Sequence, residues 1–350
     1  MATHRSATLR DVAEEAGLSV STISRALAGN PVIPEETQER ARKAAAKLNY
    51  RPNAQARALR SARTNTIGLI VPNMLNQFFA ELATSIQNSA VDASLCTLIA
   101  STNEDPDQLK RALEVMEDQR VDGLIVVPHA GGEEYINNLR AKGVPIILFD
   151  RHLEGCDAPA VISNPEPGLR AAITQLKENG HTRIGYLAGP DNTSTGVERR
   201  QTVEDLCNEF GGLDLVIAEG GYLLEEGFEG AENLLDAKVT AIIAGDSMMT
   251  LGALQAAHGR QLEIGEDISI VGFDNFLSFQ VQKHPLTVID QNVAQLGKTS
   301  FEILQHGINL AQERRRKAGR GQPIPNDNTP AITSLPTSLV VRDSIGPAKK

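Results

Sequence analysis

The sequence predicts an all-α headpiece followed by an α/β body of two doubly wound parallel-sheet lobes, and three observations carry that prediction. Charge is divided along the chain. Residues 1–63 hold 11 Lys and Arg against 6 Asp and Glu, whereas the remaining 287 residues hold 23 against 38, so a basic head precedes an acidic body. The texture also changes between Arg63 and Ile67, where Ala, Arg, Glu and Ser at helical spacing give way to β-branched runs. Beyond that point apolar runs, among them Thr66–Pro72, Cys96–Ala100, Gly123–Val127, Pro145–Phe149, Arg183–Leu187, Ala241–Ala244 and Ile268–Phe273, alternate with amphipathic stretches. Continuous apolar strands alternating with helices indicate parallel sheets covered on both faces. Eight or more such units exceed one comfortable open sheet, which is why two lobes are expected.

The head reads as a helix-turn-helix. Thr8 can cap a first helix with Asp11 in its first turn, Val12 and Ala16 supply its apolar face, and Gly17 breaks it. Ser19 can cap a second helix, in which Val20, Ile23 and Leu27 share the core-directed face, Val20 at its rim. Ser21, Thr22, Ser24 and Arg25 then fall largely on the outward side, where a recognition helix carries base and phosphate contacts. A third helix follows Pro34, with Glu35 and Glu36 near its positive end and Lys43 and Lys47 in its C-terminal half. A basic head on an acidic body suits contact with a polyanion, although a solvated helix pair has the same charge.

Several classes of function lack their required parts. No apolar stretch approaches the roughly 20 residues of a spanning helix, and Met1–Arg10 has no secretory block, so a cytoplasmic protein with no membrane partner is expected. Cys96, Cys156 and Cys207 stand alone and are expected to be buried thiols. The seven histidines show no metal spacing, and His181 is expected to be structural. Dinucleotide, phosphate-loop, nucleophile-elbow and zinc-protease motifs are all missing, so no enzyme, catalytic residue, metal or cofactor is expected.

The run Thr8–Leu27, followed by Leu48–Leu59, resembles the lactose-repressor (LacI/GalR) family of bacterial transcription regulators, as do Gly180–Gly185 and Ile268–Asp274 in the body. The resemblance implies a homodimer that binds a pseudo-palindromic operator in double-stranded DNA. It further implies a periplasmic-binding-protein-like core whose small effector toggles operator affinity. It divides the chain into a headpiece (1–49), a hinge helix (50–63), an N-terminal lobe (64–162 and 291–325), a C-terminal lobe (163–290 and 326–344) and a disordered tail (345–350). It places Val20 and Ser21, next to the capping Ser19, at base-reading positions, with Arg25 one turn on. Arg25 suits a guanine edge, and Val20 a thymine methyl. Asn53 and Arg57 fall on the hinge helix, and Leu59 becomes a wedge into the minor groove, although without the family it reads as a core leucine.

A sugar pocket needs aromatic faces for the ring and charged or amide side chains for its hydroxyls. Such residues recur at strand ends: Asn76, Phe78 and Phe79 after the first strand, Asp150 and Arg151 after another, then Asp246 and Asp274. Singly, they also read as core, a surface ion pair and helix caps. Resemblance to ribose-type binding proteins and repressors places Phe78, Phe79, Asp150, Arg151, Arg199, Tyr222, Asp274 and Gln291 on pocket positions, and Thr195 joins the same set. Val127 and Gly245 stand where ribose binders carry asparagine, which leaves a derivative or another pentose open. The expectation is thus a dimeric repressor released by ribose or a related effector. The alternatives are a purine-type co-repressed regulator and, in another class, a free sugar-binding or sugar-modifying protein. No heptad helix follows Arg342, so a dimer rather than a tetramer is expected. Gln312–Arg320 reads as a long basic loop before the last strands, a solvated insertion rather than a second nucleic-acid contact.

Overall fold

A computed structural model describes residues 7–50, 63–319 and 329–349. The hinge candidates Asn53, Arg57 and Leu59 lie outside the described residues. The chain divides into two compact units, residues 1–64 and 65–350.

In the first unit, helices α1 (Leu9–Ala16), α2 (Val20–Leu27) and α3 (Glu35–Lys47) follow the expected order. Thr8 and Asp11 form a capping box: the Thr8 N–H donates to Asp11 Oδ2 at 2.7 Å and the Asp11 N–H to Thr8 Oγ1 at 3.3 Å. Gly17 ends α1 at φ 61°, a left-handed conformation that costs glycine little. Val12, Ile23 and Ala41 are fully buried where the three helices meet.

The second unit holds two six-stranded sheets. Strands β1 (Thr66–Val71), β2 (Cys96–Ser101), β3 (Gly123–Val126), β4 (Ile146–Phe149) and β5 (Ala160–Asn164) belong to the first. Strands β6 (Arg183–Ala188), β7 (Asp214–Glu219), β8 (Ala241–Ala244), β9 (Ser269–Phe273) and β10 (Thr287–Asp290) belong to the second, and β11 (Ile332–Pro336) and β12 (Ser338–Val340) complete one sheet each. The orders are β11-β5-β4-β3-β1-β2 and β12-β10-β9-β8-β6-β7, parallel throughout except for β12 against β10. Every residue of β3, β4, β8 and β9 is buried, because helices cover both faces. In each sheet the order reverses beside the first strand, β1 or β6. There successive crossovers leave to opposite faces and open a crevice at the strands' carboxyl ends.

The helices that matter for the site start at those ends: α4 (Gln77–Asp92), α5 (Pro106–Asp118), α6 (Glu133–Ala141), α7 (Glu166–Glu178), α8 (Ser194–Phe210), α9 (Leu224–Asp236) and α10 (Ser247–Gly259). A four-residue α11 (Leu277–Gln280) precedes β10, and α12 (Val293–Ala318) packs against α4 and the first sheet. Among the described residues no helix is long and apolar enough to cross a membrane.

Four expectations need correction. The return segment 326–344 does not stay with the second lobe: β11 pairs with β5 in the first sheet, and the chain crosses over only at Thr337. Residues 345–349 are pinned rather than loose, since His181 Nε2 donates to the Gly346 carbonyl at 3.0 Å and the Ala348 N–H to that of Asn179 at 2.9 Å. Gln312–Ala318 is the last part of α12 instead of a loop, extended by a Glu313–Lys317 pair at i,i+4. Cys207 is buried, but Cys156 is half-buried and Cys96 exposed, because β2 is an edge strand.

Candidate functional site

A cavity of about 550 Å³ lies between the two lobes, at the carboxyl ends of β1, β3, β4, β6, β8 and β9. The structure brings all eleven candidate residues of the body to its wall: Asn76, Phe78, Phe79, Asp150, Arg151, Thr195, Arg199, Tyr222, Asp246, Asp274 and Gln291. They arrive from separate strand ends, and several meet across the cleft. Ser247 Oγ donates to Asn76 Oδ1 at 3.2 Å, the His152 N–H donates to Ser194 Oγ at 3.1 Å, and Arg199 Nη2 stands 3.9 Å from Asp150 Oδ1.

One half of the wall is a buried polar network centred on Arg199. Its Nη1 donates to the Gly245 carbonyl at 2.7 Å and its Nη2 to Gln291 Oε1 at 2.9 Å, while the guanidinium stacks 4.3 Å above the Phe273 ring. Gln291 passes the network on, donating from Nε2 to Asp274 Oδ1 at 2.7 Å and accepting from Ser163 Oγ at 2.6 Å. Asp246 caps α10 by accepting from the Met249 N–H at 2.8 Å and also lines the cavity. Asp150 and Asp274 sit at φ 64° and 69°, a left-handed backbone that is uncommon for side-chain-bearing residues.

Burial dominates the ionisation of these carboxyls. It raises Asp150 above the usual range despite two nearby guanidiniums, and pushes Asp246 up to about 6 and Asp274 up to about 7. A carboxyl with a raised folded pKa keeps a proton that the unfolded chain has already lost. The resulting stability is present at low pH and is lost as pH rises from about 4 to 7. For Asp274 this is on the order of 2–4 kcal/mol. His181, lowered by burial, acts in the opposite sense over part of that window, so a variant comparison isolates the effect. Urea unfolding of the protein and of Asp274→Asn at pH 5 and pH 8 should show a larger loss at pH 8 in the parent. Equal pH dependence in the two would contradict this account.

The other half holds a pair that the sequence argument missed. Arg151 Nη1 and Nη2 each donate to one Glu104 oxygen at 2.8 Å, a two-pronged fit of guanidinium to carboxylate. His129 Nδ1 lies 2.9 Å from Glu104 Oε2, and its Nε2 is 2.7 Å from Thr102 Oγ1. Burial alone would raise Glu104, but the hydrogen bonds from Arg151 and His129 outweigh it and hold the carboxyl down at about 2. Arg151 also stacks 5.0 Å over the Tyr222 ring from the facing lobe, and its buried Nε has no hydrogen-bond partner. His129 follows Pro128 just past β3, so the strand-end rule applied one strand further would have found it. Glu104 lies in a turn after β2 in which Asn103 and Glu104 both have positive φ, and nothing in its spacing marks it.

Phe78 and Phe79 meet edge to face at 5.1 Å, and Phe78 lies 6.0 Å from Phe149, giving the cavity an aromatic wall. The Tyr222 hydroxyl is 2.9 Å from Thr195 Oγ1 and 3.1 Å from Thr193 Oγ1. In the first unit, Ser19 accepts from the Thr22 N–H at 3.1 Å as the cap of α2, and its hydroxyl lies 2.9 Å from Ser21 Oγ and 2.8 Å from Thr22 Oγ1. Val20 is 44% exposed, Ser21 and Arg25 are exposed, and Thr22 and Ser24 are half-buried, so the outward face of α2 has the anticipated composition.

Comparison with known proteins is consistent with both units. Residues 8–53 match the model of "Bacterial regulatory proteins, lacI family", and residues 64–329 that of "Periplasmic binding proteins and sugar binding domain of LacI family". Catabolite control protein A of Priestia megaterium is 32% identical over 311 residues, covering 86% of this chain and 92% of its own. The Lac repressor dimer bound to operator and the anti-inducer ONPF is similar at 26% identity and TM-score 0.81, covering 97% of this chain and 99% of that one. A putative ribose operon repressor from Burkholderia thailandensis is similar at 30% identity and TM-score 0.66, covering 79% of this chain and 99% of that one. The three-helix unit, the two doubly wound lobes and these matches place the chain in the LacI family of bacterial DNA-binding regulators.

Proposed function

We propose that the chain is a homodimeric, non-enzymatic transcriptional repressor that binds a pseudo-palindromic operator through Ser19, Val20, Ser21, Thr22, Ser24 and Arg25 and releases it when ribose or a related uncharged sugar fills the cleft. Asn53 and Arg57 complete the DNA contacts from the hinge, and Leu59 is their minor-groove wedge. The observation that carries the effector part is the meeting of eleven strand-end side chains around one cavity, whose volume falls in the range of small-molecule sites. Buried carboxylates accept from sugar hydroxyls, the guanidinium and amide groups donate to them, and Phe78 and Phe79 offer an apolar edge to a ring. The pentose assignment draws on the similarity to a putative ribose operon repressor.

The dimer draws on the similarity to the Lac repressor dimer and on exposed apolar side chains: Val91 and Ile99 in one lobe, Leu277 and Val281 in the other. A gel shift on a palindrome with a central CG step, run with and without D-ribose, tests the reading. A retarded band that ribose dissolves supports it. A band formed only with ligand points to co-repression, and the absence of any band removes the regulator.

A further inference from the structure

Glu104 belongs to no expected binding set, yet it holds one of the two guanidiniums of the cavity wall. The wall carries five carboxyls, Glu104, Asp150, Glu226, Asp246 and Asp274, against two guanidiniums, Arg151 and Arg199. Both cations are already engaged: Arg199 on the Gly245 carbonyl and Gln291, Arg151 on both oxygens of Glu104. Arg151 Nε makes no hydrogen bond and lies 3.7 Å from Asp150 Oδ2. A phosphate group calls for several convergent donors and a surplus of positive charge, and this wall carries more carboxyls than guanidiniums.

Helix N-termini that line the cavity would favour an anion, but side-chain oxygens occupy those of α4, α8 and α10. Asn76 accepts from the Phe78 N–H, Thr193 from the Gly196 N–H and Asp246 from the Met249 N–H. Of the five carboxyls Glu104 is the one that removes a guanidinium fork from the cavity, and His129, buried behind it and anchored on Thr102, fixes its position.

We propose that Glu104 is a specificity-determining residue: by clamping Arg151 it makes the cleft refuse phosphorylated and other anionic effectors and accept uncharged polyhydroxylated ones. This rests on the small-sugar reading above and adds the class of effector that is excluded. Glu104 acts through Arg151, so its removal has a signature that mere loss of packing does not produce, namely a gain of anion binding.

The test uses the full chain, Glu104→Gln, and the double variant Glu104→Gln with Arg151→Met. Inorganic phosphate and D-ribose 5-phosphate serve as anionic probes and D-ribose as the neutral one, followed by calorimetry and thermal shift. The parent should show no saturable binding of either anion. Glu104→Gln should gain affinity for them by about tenfold or more, the worth of one freed charge-assisted hydrogen bond, and the double variant should lose the gain. Parent protein that binds ribose 5-phosphate at least as tightly as ribose overturns the proposal, even if the variants fail to fold. So does a folded Glu104→Gln with no gain. The ribose signal is a separate readout: its absence removes the sugar reading, while a phosphate gain confined to Glu104→Gln still upholds the filter.

Discussion

Replacing Arg199 with alanine should abolish the response of operator binding to sugar. In this structure Arg199 is the centre of the buried network, joined to Gly245, Gln291 and the Phe273 ring, with Asp150 close by. Each hydrogen bond that it makes to a ligand hydroxyl contributes about 1.5–3 kcal/mol, so its loss should weaken sugar binding by about tenfold to a hundredfold or more. Its removal also leaves buried carboxyls without a counter-charge, and breaking buried pairs of this kind costs about 3–5 kcal/mol. The core of Arg199→Ala should therefore melt earlier, less so at acid pH, where Asp246 and Asp274 take up protons. At temperatures where the core stays folded, operator binding without sugar should persist and resist ribose. Calorimetry and a DNA titration on the same sample separate the outcomes: sugar affinity equal to the parent's would exclude Arg199 from the contact, and loss of DNA binding without sugar would give it a purely architectural role.

Operator affinity should fall steeply with salt. Each phosphate neutralised by Lys or Arg contributes about −0.9 to the log-log slope on duplex DNA, so six to ten contacts imply a loss of about 10³–10⁵ between 50 and 200 mM salt. Residues 1–63 carry 11 Lys and Arg against 6 Asp and Glu, whereas the rest of the chain is acidic, so this slope should come almost wholly from the first unit. Within it, Arg25→Ala should cost about 1–3 kcal/mol at one base position and relax the preference there while changing the slope little. Salt-independent binding would exclude residues 1–63 as the DNA-contacting part.

The headpiece was legible because local chemistry determines it: Thr8, Gly17 and Ser19 mark helix ends by their own hydrogen bonds and backbone preference. The central strands were legible for a different reason, since burial on both faces writes them as unbroken apolar runs. Edge and return strands carry no such mark. β11 was assigned to the wrong lobe because the crossover at Thr337 is settled by pairing with β5, 173 residues away from Asn164, whose carbonyl receives the Thr337 hydroxyl. The strand-end rule found Asp150, Asp246 and Asp274, whose aim follows from topology. It could not find the Glu104 clamp, which depends on a turn after β2 meeting a side chain from the end of β4. Arg151 was anticipated as a ligand group, and the structure adds that its fork is already occupied.

Release of operator by sugar requires energetic coupling between the cleft and the DNA-contacting unit, and coupling of this kind is reciprocal: whatever factor sugar imposes on operator affinity, operator imposes on sugar affinity. The most direct test measures D-ribose affinity by calorimetry on the full-length protein, first free and then saturated with its palindromic operator. A ligand that releases the operator must bind the operator-bound form more weakly, by about tenfold for each 1.4 kcal/mol of coupling, and the same factor must appear when operator affinity is titrated in saturating ribose. Matching factors of about ten or more in both directions are the predicted result, and ribose that binds free and operator-bound protein with equal affinity would contradict it.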